Sequence, residues 1–250
     1  MWNDPVFLAA ALPGALIAGI SKGGFGSGAA FVAVPLMALV VEPGVALGVM
    51  LPVLMLVDAA ALRPYWGRWS WPEARLLVLG GLPGVVIAAL VWRMAPGDLF
   101  RVLIGGIALA FVAWRLFGRA PVQRPDRPPP GAAVGLAVGV GAGFTSFVSH
   151  AGGPAVAVYL LSRGLPKTGY QATTVLVFWA LNVAKAAAFA TLGLFTAQTL
   201  AASAALVPAA LLGTALGVGA HRLVPERLFF AITYVLLTAA GGKLIWDAFA

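Results

Sequence analysis

The sequence predicts an all-α polytopic membrane protein. It is read as two inverted repeats of about five helical segments each, with a first hairpin that is glycine-broken or re-entrant in both. Three observations carry this. Of 250 residues, 61% are hydrophobic and only 10% are charged, and mean hydropathy is +0.97, far more apolar surface than a soluble core consumes. The apolar runs recur at membrane-span length, about 20 residues each. Finally, a glycine-interrupted apolar pattern occurs twice, once near each start of the two halves.

In order, segment 1 covers residues 5–20 and segment 2 covers 28–41, separated by Gly19-Ile-Ser-Lys-Gly-Gly-Phe-Gly-Ser-Gly28. Glu42-Pro-Gly44 makes a turn, because proline and glycine both oppose helix continuation. Segment 3 (45–62) leads into the basic, tryptophan-rich loop 63–72, suited to the headgroup interface. Segments 4 (73–92) and 5 (99–117) complete an N-terminal repeat, residues 1–117. Residues 118–131, rich in proline and arginine, form the one long hydrophilic linker; its prolines favour an extended form. The C-terminal repeat, 132–250, holds segments 6 (132–148), 7 (152–163), 8 (169–190), 9 (196–220) and 10 (226–248). The start Met-Trp-Asn-Asp lacks a basic n-region, so the first run reads as a retained helix.

The halves correspond residue by residue. Leu16, Gly19 and Gly23 match Leu136, Gly139 and Gly143 at an offset of 120, and Gly28, Val32 and Leu36 match Gly152, Val156 and Leu160 at 124. Asp58 and Asn182 also differ by 124, and Pro96 and Phe100 match Pro225 and Phe229 at 129. Twelve basic residues fall on one side of the segments (Lys22 among them) and Arg93, Arg101 and Lys243 on the other. The positive-inside rule puts the first side, with the linker, in the cytoplasm and both termini outside. An odd number of crossings per half makes the repeats inverted, as in many secondary transporters. This topology also accounts for the net charge of +8 without a nucleic-acid partner.

Glycine breaks inside apolar runs must be buried in protein or line a watery cavity, and the two are read as halves of one polar site. Lys185, near the middle of segment 8, is the sharpest signal, since an intramembrane ionisable residue marks a pathway by default. Its alternative is a structural lysine paired with Asp58 or with carbonyls. Asn182 shares its helical face. Lys22 stands in the first break, beside Gly23, Gly24, Ser27 and Gly28. Those residues open segment 2 as Gly152 and Gly153 open segment 7, and helix N-termini attract anions. Close helix packing is the competing use of such glycines.

Ser146, Ser149 and His150 supply hydroxyls and a titratable ring. His150 and Asp58 are the proton-coupling candidates, although Asp58, near the end of segment 3, is expected to cap or to pair with a loop arginine. Absent cysteine excludes thiol chemistry and disulfides. No HExxH, P-loop or carboxylate pair within a segment is present, and Ser27 with His150 lacks the elbow and third group of a serine hydrolase. No cofactor or metal is expected. The expected partners are a small anionic substrate and the lipid bilayer, with a homodimer allowed.

The stretch Gly19 to Pro35, the stretch Gly143-Phe-Thr-Ser…His150-Ala-Gly-Gly-Pro…Tyr159-Leu-Leu, and Phe178-Trp-Ala-Leu-Asn-Val-Ala-Lys185 with Leu192-Gly-Leu-Phe195 together resemble the sulfite exporter TauE/SafE transporters over essentially the whole chain. The resemblance implies a carrier in the bacterial inner membrane for small sulfur-containing anions such as sulfite or organosulfonates, often working outward, and not an enzyme. In the second half Ser-His-Ala-Gly-Gly-Pro replaces the family's usual Gly-Gly-Gly, which leaves the particular anion open.

Overall fold

The computed structural model describes residues 3–25, 27–95, 97–118, 130–220 and 226–250. Among them every regular element is helical: α1 (Pro5–Ile20), α2 (Ala33–Ala38), α3 (Pro43–Leu62), α4 (Trp71–Met94), α5 (Gly97–Phe117), α6 (Ala132–Ser149), α7 (Gly153–Ser162), α8 (Lys167–Thr191), α9 (Ala197–Ala220) and α10 (Glu226–Phe249). A π turn (Ser21–Phe25) and a 3-10 helix (Ser27–Val32) join α1 to α2. Most of the linker expected at 118–131, together with His221, Arg222 and Pro225, lies outside the described residues.

Local chemistry sets the ends of these helices. Asp4 caps α1, its carboxylate accepting from the Val6 amide, and Pro5 follows where no amide is needed. Gly193, at φ +70°, turns the chain out of α8 in the left-handed conformation that glycine adopts without strain. Pro13, Pro52, Pro83 and Pro208 sit inside helices, where packed neighbours compensate the lost backbone hydrogen bonds.

Among the described residues, eight helical stretches are long and apolar enough to cross a membrane, Pro5–Gly23 and Ala132–Ser149 included. The helices α2 and α7, six and ten residues long, are not. At 1.5 Å per residue they reach about 9 and 15 Å, against a hydrocarbon core of about 30 Å. The two first hairpins therefore combine a full-length arm (α1 or α6) with a half-length one (α2 or α7).

Helix neighbours repeat with the halves exchanged. The first helix of each half packs on the fourth of the other, α1 on α9 and α6 on α4, while α3 meets α8 and α5 meets α10. Glycines make the first two contacts possible. A Cβ on Gly19 would lie 2.2 Å from the Ala210 carbonyl oxygen, and one on Gly139 would lie 2.7 Å from that of Leu77. Gly23 stands in the same relation to Thr214 as Gly143 does to Gly81, and Gly213 to Leu16 as Gly80 does to Leu136. All three pairs carry one onto the other by the same shifts, 120 along α1–α6 and 133 along α4–α9. Bare backbone on both sides lets these helices touch at van der Waals distance, which is how helices associate where water drives nothing. Between them lies a core that includes the fully buried Phe7, Phe100, Phe147 and Phe189, with Phe147 and Phe189 edge to face at 5.0 Å.

Candidate functional site

Where the two broken hairpins meet α3 and α8, Lys22, Asp58, Asn182, Lys185 and His150 come together in two hydrogen-bonded sets beside one cavity. Lys22, on the π turn, forms an ion pair with the Asp58 carboxylate through Oδ1. The other oxygen, Oδ2, accepts from Asn182 Nδ2 at 2.7 Å. Three residues along α8, Lys185 Nζ donates to the Ser146 carbonyl at 3.0 Å and lies 2.7 Å from His150 Nδ1. Asp58 and Asn182 are each 3% exposed and Lys185 is wholly buried. A charge so placed is sustained only by partners within hydrogen-bonding reach.

The π turn explains Lys22. Ser21–Phe25 takes an extra residue per turn, a distortion frequent at functional sites, and this brings the ammonium onto α3. Asp58 is accordingly no loop-facing cap, and the arginine pairing expected for it gives way to Lys22 and Asn182. Lys22 also leaves the tally of loop charges, so the basic bias becomes eleven against three. The middle-of-helix position expected for Lys185 is corrected too. It stands six residues before the end of α8 at Thr191, about 9 Å along the axis, and the covering helices keep water from it.

His150 ends α6 in the left-handed region at φ 56°, the single non-glycine residue there among those described. Glycine ordinarily fills this capping position, and a held outlier points to a constraint on the side chain. When Lys185 donates to Nδ1, the neutral ring carries its proton on Nε2. That Nε2 is buried, facing the Leu47 main chain without meeting hydrogen-bond geometry, and has no partner. Ser149 is buried but turns its hydroxyl back to the Thr145 carbonyl, and Ser146 contributes its carbonyl.

A cavity of about 20 Å³ is lined by Lys22, Ala30, Leu54, Ser146, His150, Gly153, Phe178, Asn182 and Lys185. Gly153 opens α7 after the uncapped Gly152, so a helix N-terminus faces this space, as expected. Gly152 itself is small because of Ala142 and Phe178, which a Cβ would meet at 2.7 and 2.9 Å. Segment 2 differs: its α-helix begins only at Ala33, after the π turn and the 3-10 helix, so no α-helical N-terminus stands at Ser27 and Gly28. The surroundings of Gly24, Ser27 and Gly28 lie outside the described residues. Gly23 is spent on the α9 contact.

The sequence reading missed a second cluster. Glu73, 4% exposed, accepts from the Tyr159 hydroxyl at 2.6 Å and from Arg163 Nε at 2.7 Å, while another Arg163 nitrogen donates to the Pro130 carbonyl at 2.9 Å. It ties the far end of α7 to α4 and to the chain entering α6. Glu73 lies in the first turn of α4, where a carboxylate reads simply as a complement to the helix dipole. Its one legible signal was that Trp-Pro precedes it and an unbroken apolar run follows.

Among the described residues no group of histidine, cysteine, aspartate and glutamate could hold a metal ion. The site thus gathers two lysines, an asparagine amide and an imidazole near one carboxylate. No curated protein and no solved structure matches the chain. The family model described as Sulfite exporter TauE/SafE matches residues 11–244, which include every residue of the cluster. This chain is a multi-pass membrane protein belonging to the sulfite exporter TauE/SafE family of transporters.

Proposed function

We propose that the protein is a secondary carrier exporting small sulfur-containing oxyanions, such as sulfite or short organosulfonates, across the bacterial inner membrane. The observation that carries this is the meeting of Lys22 and Lys185 over one cavity, which His150 also lines. In this reading the two ammonium groups, the Asn182 amide, the imidazole N–H and the first amides of α7 bind substrate oxygens. Ser146 shapes the wall, and His150 and Asp58 are the groups through which proton coupling would run. The chain acts without chemistry on its substrate.

Support for alternating access comes from the symmetry. Asp58 and Asn182 are equivalent positions of the two halves, yet they hydrogen-bond to each other. Equivalent residues touch only on the axis relating the halves, so the cluster straddles that axis. Inverted repeats with such an axis in the membrane plane exchange conformations by rocking one half against the other. The cavity holds about one water, and an oxyanion needs a wider opening, as a rocking carrier provides. Both termini are placed outside and the linker in the cytoplasm.

Ala30, Leu54 and Phe178 on the same wall favour a second reading, a small organic anion with a short apolar tail. Purified protein in liposomes, offered sulfite, thiosulfate, short alkylsulfonates, carboxylates and phosphate with and without a pH gradient, separates the two. Flux of sulfite and sulfonates above carboxylates supports the first, and preference for a carboxylate supports the second. No flux of any of them contradicts both.

A further inference from the structure

We infer that Asp58 is a built-in counter-anion, which occupies Lys22 while the site is empty of substrate and releases that ammonium when an oxyanion binds. The inference rests on the carrier reading above and adds to it how the empty carrier returns. Three features of the cluster lead to it. Asp58 pairs with Lys22 but does not line the cavity, so its carboxylate stands behind the ammonium rather than in the substrate's place. Its second oxygen is held by Asn182, which keeps the carboxylate partnered after Lys22 turns away. Lys185 on α8 also lies within electrostatic reach of this carboxylate but is bonded to His150 and to the Ser146 carbonyl, so Lys22 is the ammonium that Asp58 serves.

A buried ammonium deprived of its carboxylate is strongly unfavourable in a low-dielectric interior. A carrier with two lysines and no internal anion would move between its two faces only when loaded, and would therefore swap one anion for another. With Asp58 available, the empty site keeps Lys22 neutralised and turns around unloaded, which is what net export requires. The same carboxylate competes with substrate for Lys22, so it weakens binding while enabling net flux.

The test is Asp58→Asn in purified, reconstituted protein, with radiolabelled sulfite as the probe. Two assays are run: net efflux into anion-free buffer, and exchange against external sulfite. In Asp58→Asn the ratio of exchange to net efflux should rise at least about tenfold, because the unloaded turn-around is lost. Asp58→Glu should restore net efflux. Sulfite binding in detergent, read by thermal shift, should tighten several-fold in Asp58→Asn, whereas a merely structural aspartate would leave it weaker. A proportional loss of both fluxes, or no change in either, would overturn the inference alone, as would weakened binding. Wild-type protein that moves none of the anions offered above in either assay would overturn the carrier reading and this inference with it.

Discussion

His150 shows most plainly how one residue's backbone and side chain are tied together. Its left-handed φ costs an L-residue with a side chain and costs glycine nothing, so the ring is held there for what it touches. His150→Gly should leave thermal stability within about 1 kcal/mol of wild type, since relieved strain offsets the lost contacts. Sulfite affinity should nevertheless fall, because the Nε2 donor is gone; thermal unfolding with and without sulfite reads both. Asp58 marks the limit of linear reading at this scale. The apolar and glycine residues of α3 around it do not reveal its partners, because Lys22 and Asn182 are 36 and 124 positions away and only folding brings them together. Lys185, by contrast, was legible at once, as an intramembrane ammonium has few bland explanations.

At the scale of elements, the glycine stripes explain why α1 with α9 and α4 with α6 form the closest pairs. Gly143→Val would drive a branched side chain into the Gly81 carbonyl, which even a Cβ would approach to 2.1 Å. Overpacking of that kind costs about 1–3 kcal/mol. The unfolding temperature in detergent should drop by several degrees, while a Gly106→Ala control, with open space around it, should not change it. The half-helix α7 joins the two polar clusters, with Gly153 at the cavity and Arg163 on Glu73. Glu73→Gln keeps an acceptor for Tyr159 and removes the ion pair, so α7 should open more often. Since the chain has no cysteine, Val156→Cys gives a clean reporter. It is buried in α7, and its maleimide labelling should rise when Glu73→Gln is added, provided α7 is the element that moves. Helix existence and ends were readable from hydropathy, proline and glycine; the π turn was not, because nothing local distinguishes it from an ordinary break.

For the whole molecule, the all-helical class followed from composition and the spacing of apolar runs, because a bilayer leaves the backbone almost no choice but helix. The way the halves interleave was hidden, since it depends on which glycine backbones meet. The orientation proposed above rests on the remaining eleven-to-three bias of basic residues. In intact cells, an impermeant thiol reagent should label cysteines placed at Asn3 and Ala250 from outside and leave one at Gln123 unlabelled until the membrane is opened.

The account turns on Lys22 and Lys185 acting together on one anion. Its most direct test is calorimetric titration of sulfite into purified wild-type protein, Lys22→Gln, Lys185→Gln and the double variant, each shown to be folded by its elution profile. The account predicts measurable binding to wild type, weaker binding to each single variant and none to the double variant. Wild-type affinity retained in the double variant would contradict it.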